Sequence, residues 1–388
     1  IGKNDSKSTK KASEEAVQPK ILIKPRPAQA TPSKEPVELQ KPQNTITIQT
    51  KEKEPNQATS SGEQSAPTVP VVPVQLMTRC IALSNLTNQL ATSNSARIFD
   101  KTNNDFFVVG VMGTQGVGKS TLMNLLVPES IDSTVYNKYF KKKEGTFTVK
   151  SRVMKTPPWL ESMDLFITKD RMIFIDCPPV LTGSYRKDVK TIESDDLKMI
   201  IFLLTVCHLV IFVQDDYFNL SLVRLLQFSE FTKPSNMKSA NNDNFPNILF
   251  VKNRGSRIDF SRSERDKIER LIKYIFKNSL LKIFIGQTDK NGANKSSDQE
   301  FNNINYFVFP DVKDAKHTSF YRSLEDVCNE FRLRVFSTPR NQIHPTSSNL
   351  TEVEWFELAK CQALNKSNFF LTFYEEIRRF QLHTESDQ

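Results

Sequence analysis

Aromatic residues are missing from the first 74 positions, and all 28 phenylalanines lie beyond residue 98. The same segment holds ten of the chain's 20 prolines, set among Lys, Glu, Gln, Ser and Thr. Such a stretch cannot bury enough apolar surface to offset its ordering entropy. Residues 1–74 therefore read as a disordered, basic, Pro-rich arm. Cysteine is also sparse. The five (Cys80, Cys177, Cys207, Cys328, Cys361) show no C-x-x-C spacing, which argues against a disulfide framework or a zinc site and suits thiols in a reducing compartment. The four histidines add no metal-ligand spacing. Long hydrophobic runs are absent too. The longest, MIIFLLTVCHLVIFV at 199–213, is broken by Thr205 and His208 and falls short of the ~20 residues that span a bilayer. It reads as the end of a buried helix followed by a buried strand. No signal-peptide pattern opens the sequence, and the first residue is not Met, so a trimmed fragment is expected. No internal repeat is apparent. The net charge of +9 permits acidic partners without requiring them.

What is present begins near residue 75. Residues 77–91 have helical spacing, and FFVVGVM at 106–112 is a short β-rich apolar run. LFITKDRMIFID, 165–176, reads as two strands joined at Lys169-Asp170. A helix near 190–204, a strand in HLVIFVQD, a helix over 219–231 and a strand over 247–253 follow. The amphipathic 263–276, the strand 305–312 and the helix 319–336 complete the pattern. Alternating strands and helices predict an α/β fold, a mostly parallel sheet with helices on both faces. The polar stretches 233–245 and 286–300 read as exposed insertions in a domain spanning 75–345. Thr351-x-x-Glu354 is a capping-box signal that opens a C-terminal helical segment, 346–388. Its aromatics Trp355, Phe356, Phe369, Phe370, Phe373 and Tyr374 are available to pack on the domain or to meet a partner.

The chemistry concentrates in Gly113-Thr-Gln-Gly-Val-Gly-Lys119-Ser120, the G-x-x-x-x-G-K-[ST] phosphate loop. Its glycines let backbone N–H groups turn inward, with a helix N-terminus behind them, toward phosphate oxygens. Gln115, Gly116, Val117, Gly118, Lys119, Ser120 and Thr121 are the candidate phosphate contacts. Lys119 would reach the β- and γ-phosphates, and Ser120 would ligate Mg²⁺. Asp176, ending the apolar strand RMIFID, suits a magnesium-holding aspartate.

Two departures follow. GTPases carry D-x-x-G where this chain has Asp176-Cys-Pro-Pro179, and proline has no N–H for a γ-phosphate. No glutamine stands at Val180 to orient an attacking water, although Gln115 lies in the loop itself. The base-reading N-K-x-D pattern is expected after the strand NILFV, where the chain has Val251-Lys252-Asn253-Arg254 and no carboxylate at the aspartate position. Lys252 and Asn253 are the candidate base contacts, and guanine and adenine both stay open. Thr146 and Thr148 are alternatives for the switch threonine. No catalytic residue is identified.

Through GTQGVGKS, DLFITKDRMIFIDCPPVL, FLLTVCHLVIFVQDDYFNLSLVRLLQ, LFVKNRGSRIDF and LTEVEWFELAK, the chain resembles the Smg-nine family of nonsense-mediated mRNA decay factors, as a diverged invertebrate member. The resemblance implies a phosphate-loop G domain related to dynamin-like GTPases. It implies a heterodimer with a Smg-eight-like G-domain subunit, and binding to a Smg-one-like phosphatidylinositol-kinase-related protein kinase that the pair restrains. The expectation is a cytoplasmic, nucleotide-binding regulatory subunit that holds GTP, GDP or ATP with Mg²⁺ and hydrolyses little or none. It would contact neither nucleic acid nor membrane. An active dynamin-like GTPase is the alternative.

Overall fold

The computed structural model describes residues 74–83, 97–148, 163–182, 189–215, 218–233, 244–286, 303–312, 322–341 and 350–364, with a few single positions beside them. The chain divides into two units, Ile1–Thr68 and Val69–Gln388, and everything described belongs to the second. The expected arm lies outside the described residues. So do most of the two polar insertions and the last four of the C-terminal aromatics.

Seven strands form one sheet: β1 (Ile81–Ala82), β2 (Phe107–Gly113), β3 (Asp164–Ile167), β4 (Met172–Asp176), β5 (Leu209–Gln214), β6 (Asn247–Gly255) and β7 (Tyr306–Pro310). Their spatial order is β1-β3-β4-β2-β5-β6-β7. The five strands from β4 to β7 run parallel, whereas β3 pairs antiparallel with both β4 and β1. The central strands are apolar along their whole length because both faces are covered. Val109 and Val111 face α1 (Lys119–Leu126) and α5 (Leu324–Phe336). Val108 and Met112 face the other layer, α2 (Val189–Val206), α3 (Leu220–Thr232) and α4 (Arg262–Ile275). Helix α2 comes very close to β2: a Cβ on Gly110 would lie 2.7 Å from Leu203 Cδ2 and 2.8 Å from Cys207 Sγ.

Helix α6 (Glu352–Leu364) starts at the expected capping box, with Thr351 N donating to Glu354 Oε2 at 2.8 Å and Glu354 N to Thr351 Oγ1 at 3.3 Å. Trp355 and Phe356 are fully buried, and the Trp355 indole donates to Val206 O at 2.8 Å. This helix therefore packs on the domain.

Three expectations need correction. The helical spacing over 77–91 fails at its start: Ile81 and Ala82 form β1 and pair with Leu165 and Asp164, covering the open edge of β3. Residues from 84 to 91 lie outside the described ones. Helix α5 opens at Leu324 rather than near 319, because the Ser323 hydroxyl accepts from Asp326 N at 3.1 Å and caps it there. Lys233, assigned to an exposed insertion, is buried, with its Nζ 4.1 Å from the centre of the Phe245 ring. Burial and the neighbouring Lys282 pull its ammonium down to about 7.

Candidate functional site

The parallel pairing of β2 with β4 and β5 brings the site together. Val111 lies opposite Asp176 on one side and Ile211 on the other, so the loop leaving β2 rises between the ends of its neighbours. Gly118 caps α1 at φ 95°, in the region that favours glycine. A side chain there would also strike the Asn253 amide, 2.3 Å from the ideal Cβ. Glycine is thus required twice over, by backbone and by space.

Lys119 is buried, and its Nζ donates to the Gly113 and Thr114 carbonyls at 3.0 Å each. An ammonium has three donors, so one stays available to an anion over the loop. Burial lowers the Lys119 ammonium below its ordinary value, and the Asp176 charge works against that shift. The Ser120 hydroxyl donates to Asp176 Oδ2 at 2.5 Å. A hydroxyl and a carboxylate side by side at the end of a phosphate loop form the oxygen pair that Mg²⁺ takes, directly or through water. Gln115 and Gly116 are exposed at the loop's tip, and Val117 is buried beneath it.

The segment after Asp176 is tied down. Neither Pro178 nor Pro179 has an N–H, and the next one, that of Val180, donates to Gly113 O at 3.2 Å. Leu181 N then donates to Asp196 Oδ2 at 2.7 Å. Val180 is fully buried. Cys177 is buried as well, and burial pushes its thiol well up, so it packs as a neutral apolar group. Phe147, between Thr146 and Thr148, is clamped to α1: its N–H donates to Asn124 Oδ1 at 2.7 Å and its carbonyl accepts from Asn124 Nδ2 at 2.8 Å.

The strand end at β6 separates the two candidate base contacts. Asn253 Nδ2 donates to Val117 O at 2.7 Å and so buttresses the phosphate loop. Lys252 points to the opposite sheet face, where Nζ pairs with Asp259 Oδ1 at 2.7 Å. Burial alone would raise the Asp259 carboxyl, but hydrogen bonds from Lys252 and Ser256 hold it below its ordinary value. Sequence reasoning missed Arg254. It adopts φ 55°, beside the register shift between Lys252 and Gly255, and swings its guanidinium over the strand ends. There Nη2 donates to Gly116 O at 2.7 Å, and Nη1 pairs with Asp215 Oδ2 at 2.7 Å. Three residues after Asn253, Ser256 bonds Asp259 Oδ2 through its N–H at 2.7 Å and its hydroxyl at 2.8 Å, capping the 3₁₀ turn Arg257–Phe260.

Among the described residues no cluster of three or more His, Cys, Asp or Glu could hold a metal, and no helix is long and apolar enough to cross a membrane.

Residues 108–242 match a family model described as a 50S ribosome-binding GTPase, which agrees with the phosphate loop, the sheet order and the helix layers: this is a phosphate-loop GTPase-type domain. Among solved structures, Arabidopsis thaliana Toc33 in complex with GDP and Mg²⁺ covers 66% of this chain and 90% of its own. The identity between the two is 14% and the TM-score 0.33. Among curated proteins, Drosophila melanogaster Protein SMG9 is 31% identical over 308 residues, 76% of this chain and 60% of its own length. Nonsense-mediated mRNA decay factor SMG9 of Salmo salar is 29% identical, over 55% of this chain and 46% of that one. The Xenopus laevis factor of the same name is 27% identical, over 78% and 68%. The chain thus spans between about half and two thirds of the curated relatives it matches, and over that span it belongs to the SMG9 family of nonsense-mediated mRNA decay factors.

Proposed function

We propose that this chain is a nucleotide-binding regulatory subunit that holds a nucleoside triphosphate or diphosphate with Mg²⁺ and turns over little or none of it. The observation that carries this reading is the fate of the two backbone positions where a γ-phosphate sensor belongs. Pro179 has no N–H, and the Val180 N–H is already committed to Gly113 O. The phosphate end supports binding: Lys119, Ser120 and Asp176 are in place, backed by Gly116, Gly118 and Thr121 at the start of α1. Bound nucleotide then acts as a structural ligand, stabilising the fold by mass action.

For the base, the register that fits the geometry is Asn253-Arg254-Gly255-Ser256. Asn253 braces the loop, and the Arg254 stem crosses the strand ends beside Gly116. Ser256 stands where a guanine-reading carboxylate would, with its hydroxyl engaged by Asp259. Discrimination of guanine from adenine is correspondingly weak, because no buried carboxylate is left unpaired by the wrong base.

The family supports a place in the nonsense-mediated decay machinery, in the cytoplasm. There the chain pairs with a Smg-eight-like G-domain subunit and restrains a Smg-one-like kinase.

A single-turnover assay tests the reading. The purified chain, with and without the larger partner, is mixed with limiting GTP or ATP and Mg²⁺ and acid-quenched over hours. The expected result is intact triphosphate retained on the protein. Steady conversion to diphosphate that Lys119→Ala abolishes would overturn it in favour of an active GTPase or ATPase, with Gln115 or a partner residue completing the site.

A further inference from the structure

In GTPase-type domains two segments beside the phosphates are ordered by the γ-phosphate and its Mg²⁺ and released on hydrolysis. The corresponding stretches here are 145–148, after α1, and 177–182, after β4. Each is fastened by groups of the chain itself.

The first is clamped by Asn124, a 2% exposed side chain on α1. Its amide meets the Phe147 backbone twice, accepting from the N–H at 2.7 Å and donating to the carbonyl at 2.8 Å, as a neighbouring strand would. The pairing needs Gly145, because a Cβ there would lie 2.3 Å from Asn124 Cγ and Nδ2. Cys80, beside β1, donates its thiol to Thr146 O at 3.0 Å. The Phe147 ring is fully buried, edge-on to Phe166 at 6.4 Å. Releasing this segment breaks three hydrogen bonds and brings an aromatic ring into water.

The second is fastened at two successive N–H groups. Val180 donates to Gly113 O at 3.2 Å, inside the phosphate loop, and Leu181 donates to Asp196 Oδ2 at 2.7 Å, on α2. Val180 is fully buried. Leu181 is held at φ 56°, a conformation that a leucine keeps only where its surroundings impose it.

A ligand shifts a conformational equilibrium only through contacts that differ between the two states. The N–H groups of Phe147, Val180 and Leu181 are already engaged. What is left to a γ-phosphate is the third Lys119 proton and a Mg²⁺ held by Ser120 and Asp176, on α1 and at the end of β4, outside both segments. The Thr146 and Thr148 hydroxyls can turn toward it from backbone that is already in place.

We propose that Asn124 and Asp196 are positioning residues that hold both segments in one arrangement, so that the surface around the site is the same with a diphosphate as with a triphosphate. Regulation then runs through the presence of nucleotide, by its effect on stability, and not through its hydrolysis state. This consequence rests on the nucleotide-binding reading above, whereas the clamps themselves do not.

Hydrogen exchange of the whole chain tests it, read by mass spectrometry on peptides covering 144–148 and 177–182. The chain is compared without nucleotide and with saturating GDP, ADP or the non-hydrolysable analogues GMPPNP and AMPPNP. Without nucleotide, both peptides should exchange at least about a thousandfold more slowly than an unstructured chain. Each diphosphate and its triphosphate analogue should give indistinguishable rates. Asn124→Ala should speed the first peptide by about tenfold or more, the worth of an unsatisfied buried bond, and leave the second alone. Asp196→Ala should do the reverse, and Asp196→Asn, which keeps an acceptor for Leu181 N, should restore the wild-type rate. The Asp196 pair carries the test alone where Asn124→Ala does not fold. Fast exchange of either peptide without nucleotide would overturn the proposal. So would exchange about tenfold slower with a triphosphate analogue than with its diphosphate. Slow exchange in a chain that retains no nucleotide would sink the binding reading and leave the clamps standing.

Discussion

The two ends of the parallel strands are built on different terms. At the carboxyl ends, polar groups bond to neighbours within or beside one loop: Lys119 to its own loop, Ser120 to Asp176, Arg254 to Gly116 and Asp215. At the amino ends, polar groups are buried and tie distant parts of the chain together. The Glu352 carboxylate is fully buried, and it accepts from Asp100 N at 2.8 Å, Asn103 Nδ2 at 2.6 Å and Arg171 Nε at 2.6 Å. His208, just before β5, is stacked on Phe107, with Nδ1 accepting from Val108 N at 2.9 Å. One end is arranged to receive a ligand and the other to brace the domain. Substitutions at each should therefore fail differently.

The largest expected effect is at the bracing end. Glu352→Ala removes the carboxylate that pairs with Arg171 and leaves the guanidinium and two further donors in a largely buried place. Breaking one partner of a buried ion pair costs ~3–5 kcal/mol. Denaturant melts should show a loss of that size, with nucleotide affinity per folded molecule unchanged. A loss of affinity without a loss of stability would erase the distinction between the two ends.

Lys119→Ala is the converse. It removes a charge-assisted contact to phosphate worth ~3 kcal/mol, so nucleotide affinity by calorimetry should fall roughly a hundredfold. Unliganded stability should change little, because burying that ammonium is itself unfavourable and its two carbonyl bonds only offset the cost. Partner binding should persist. Asn253→Ala lies between the extremes. It deletes a buried bond to Val117 O and should cost about 2 kcal/mol of stability with a milder loss of affinity.

How far the sequence could be read follows the same division. The phosphate loop, Asp176 and the hairpin before it were legible because each is a local pattern, closed within a few residues. The strands β2, β5 and β6 were legible as apolar runs. The brace was not, because Arg171 and Glu352 stand 181 positions apart and neither is unusual in its own neighbourhood. Arg254 was hidden for another reason. Counting the base-reading pattern from the end of NILFV assumes a regular strand, and the left-handed residue at 254 shows that the backbone departs there from regular strand geometry. The bond from Asn253 to the loop is what sets the proposed register, and it joins residues 136 positions apart. Strand β1 escaped because two residues carry no periodicity.

A pH titration sharpens the picture of the bracing end. Burial pulls His208 down to about 3, against an ordinary value near 6.5. The folded protein then refuses a proton that the unfolded chain accepts below ~6.5, so stability falls as pH drops from there toward 3. The slope from this one group is about 1.4 kcal/mol per pH unit. His208→Asn, which keeps an acceptor for Val108 N but cannot be protonated, should flatten that limb of the stability curve. An unchanged slope would assign the acid sensitivity elsewhere.

The smallest effect is the most discriminating. Lys252 and Asn253 are neighbours on one strand, yet they face opposite sides of the sheet. Lys252→Met keeps the alkyl stem on that face of the sheet and removes only the ion pair with Asp259, whose carboxylate retains both bonds from Ser256. A partly exposed pair of this kind is worth about 1 kcal/mol or less. Stability should move by no more than that, and affinity for GTP and for ATP should not move at all. A tenfold loss for either nucleotide would return the base contact to Lys252 and show that the strand end rearranges when nucleotide binds. Unchanged affinity, beside the loss in Asn253→Ala, would fix the face of β6 that meets the ligand.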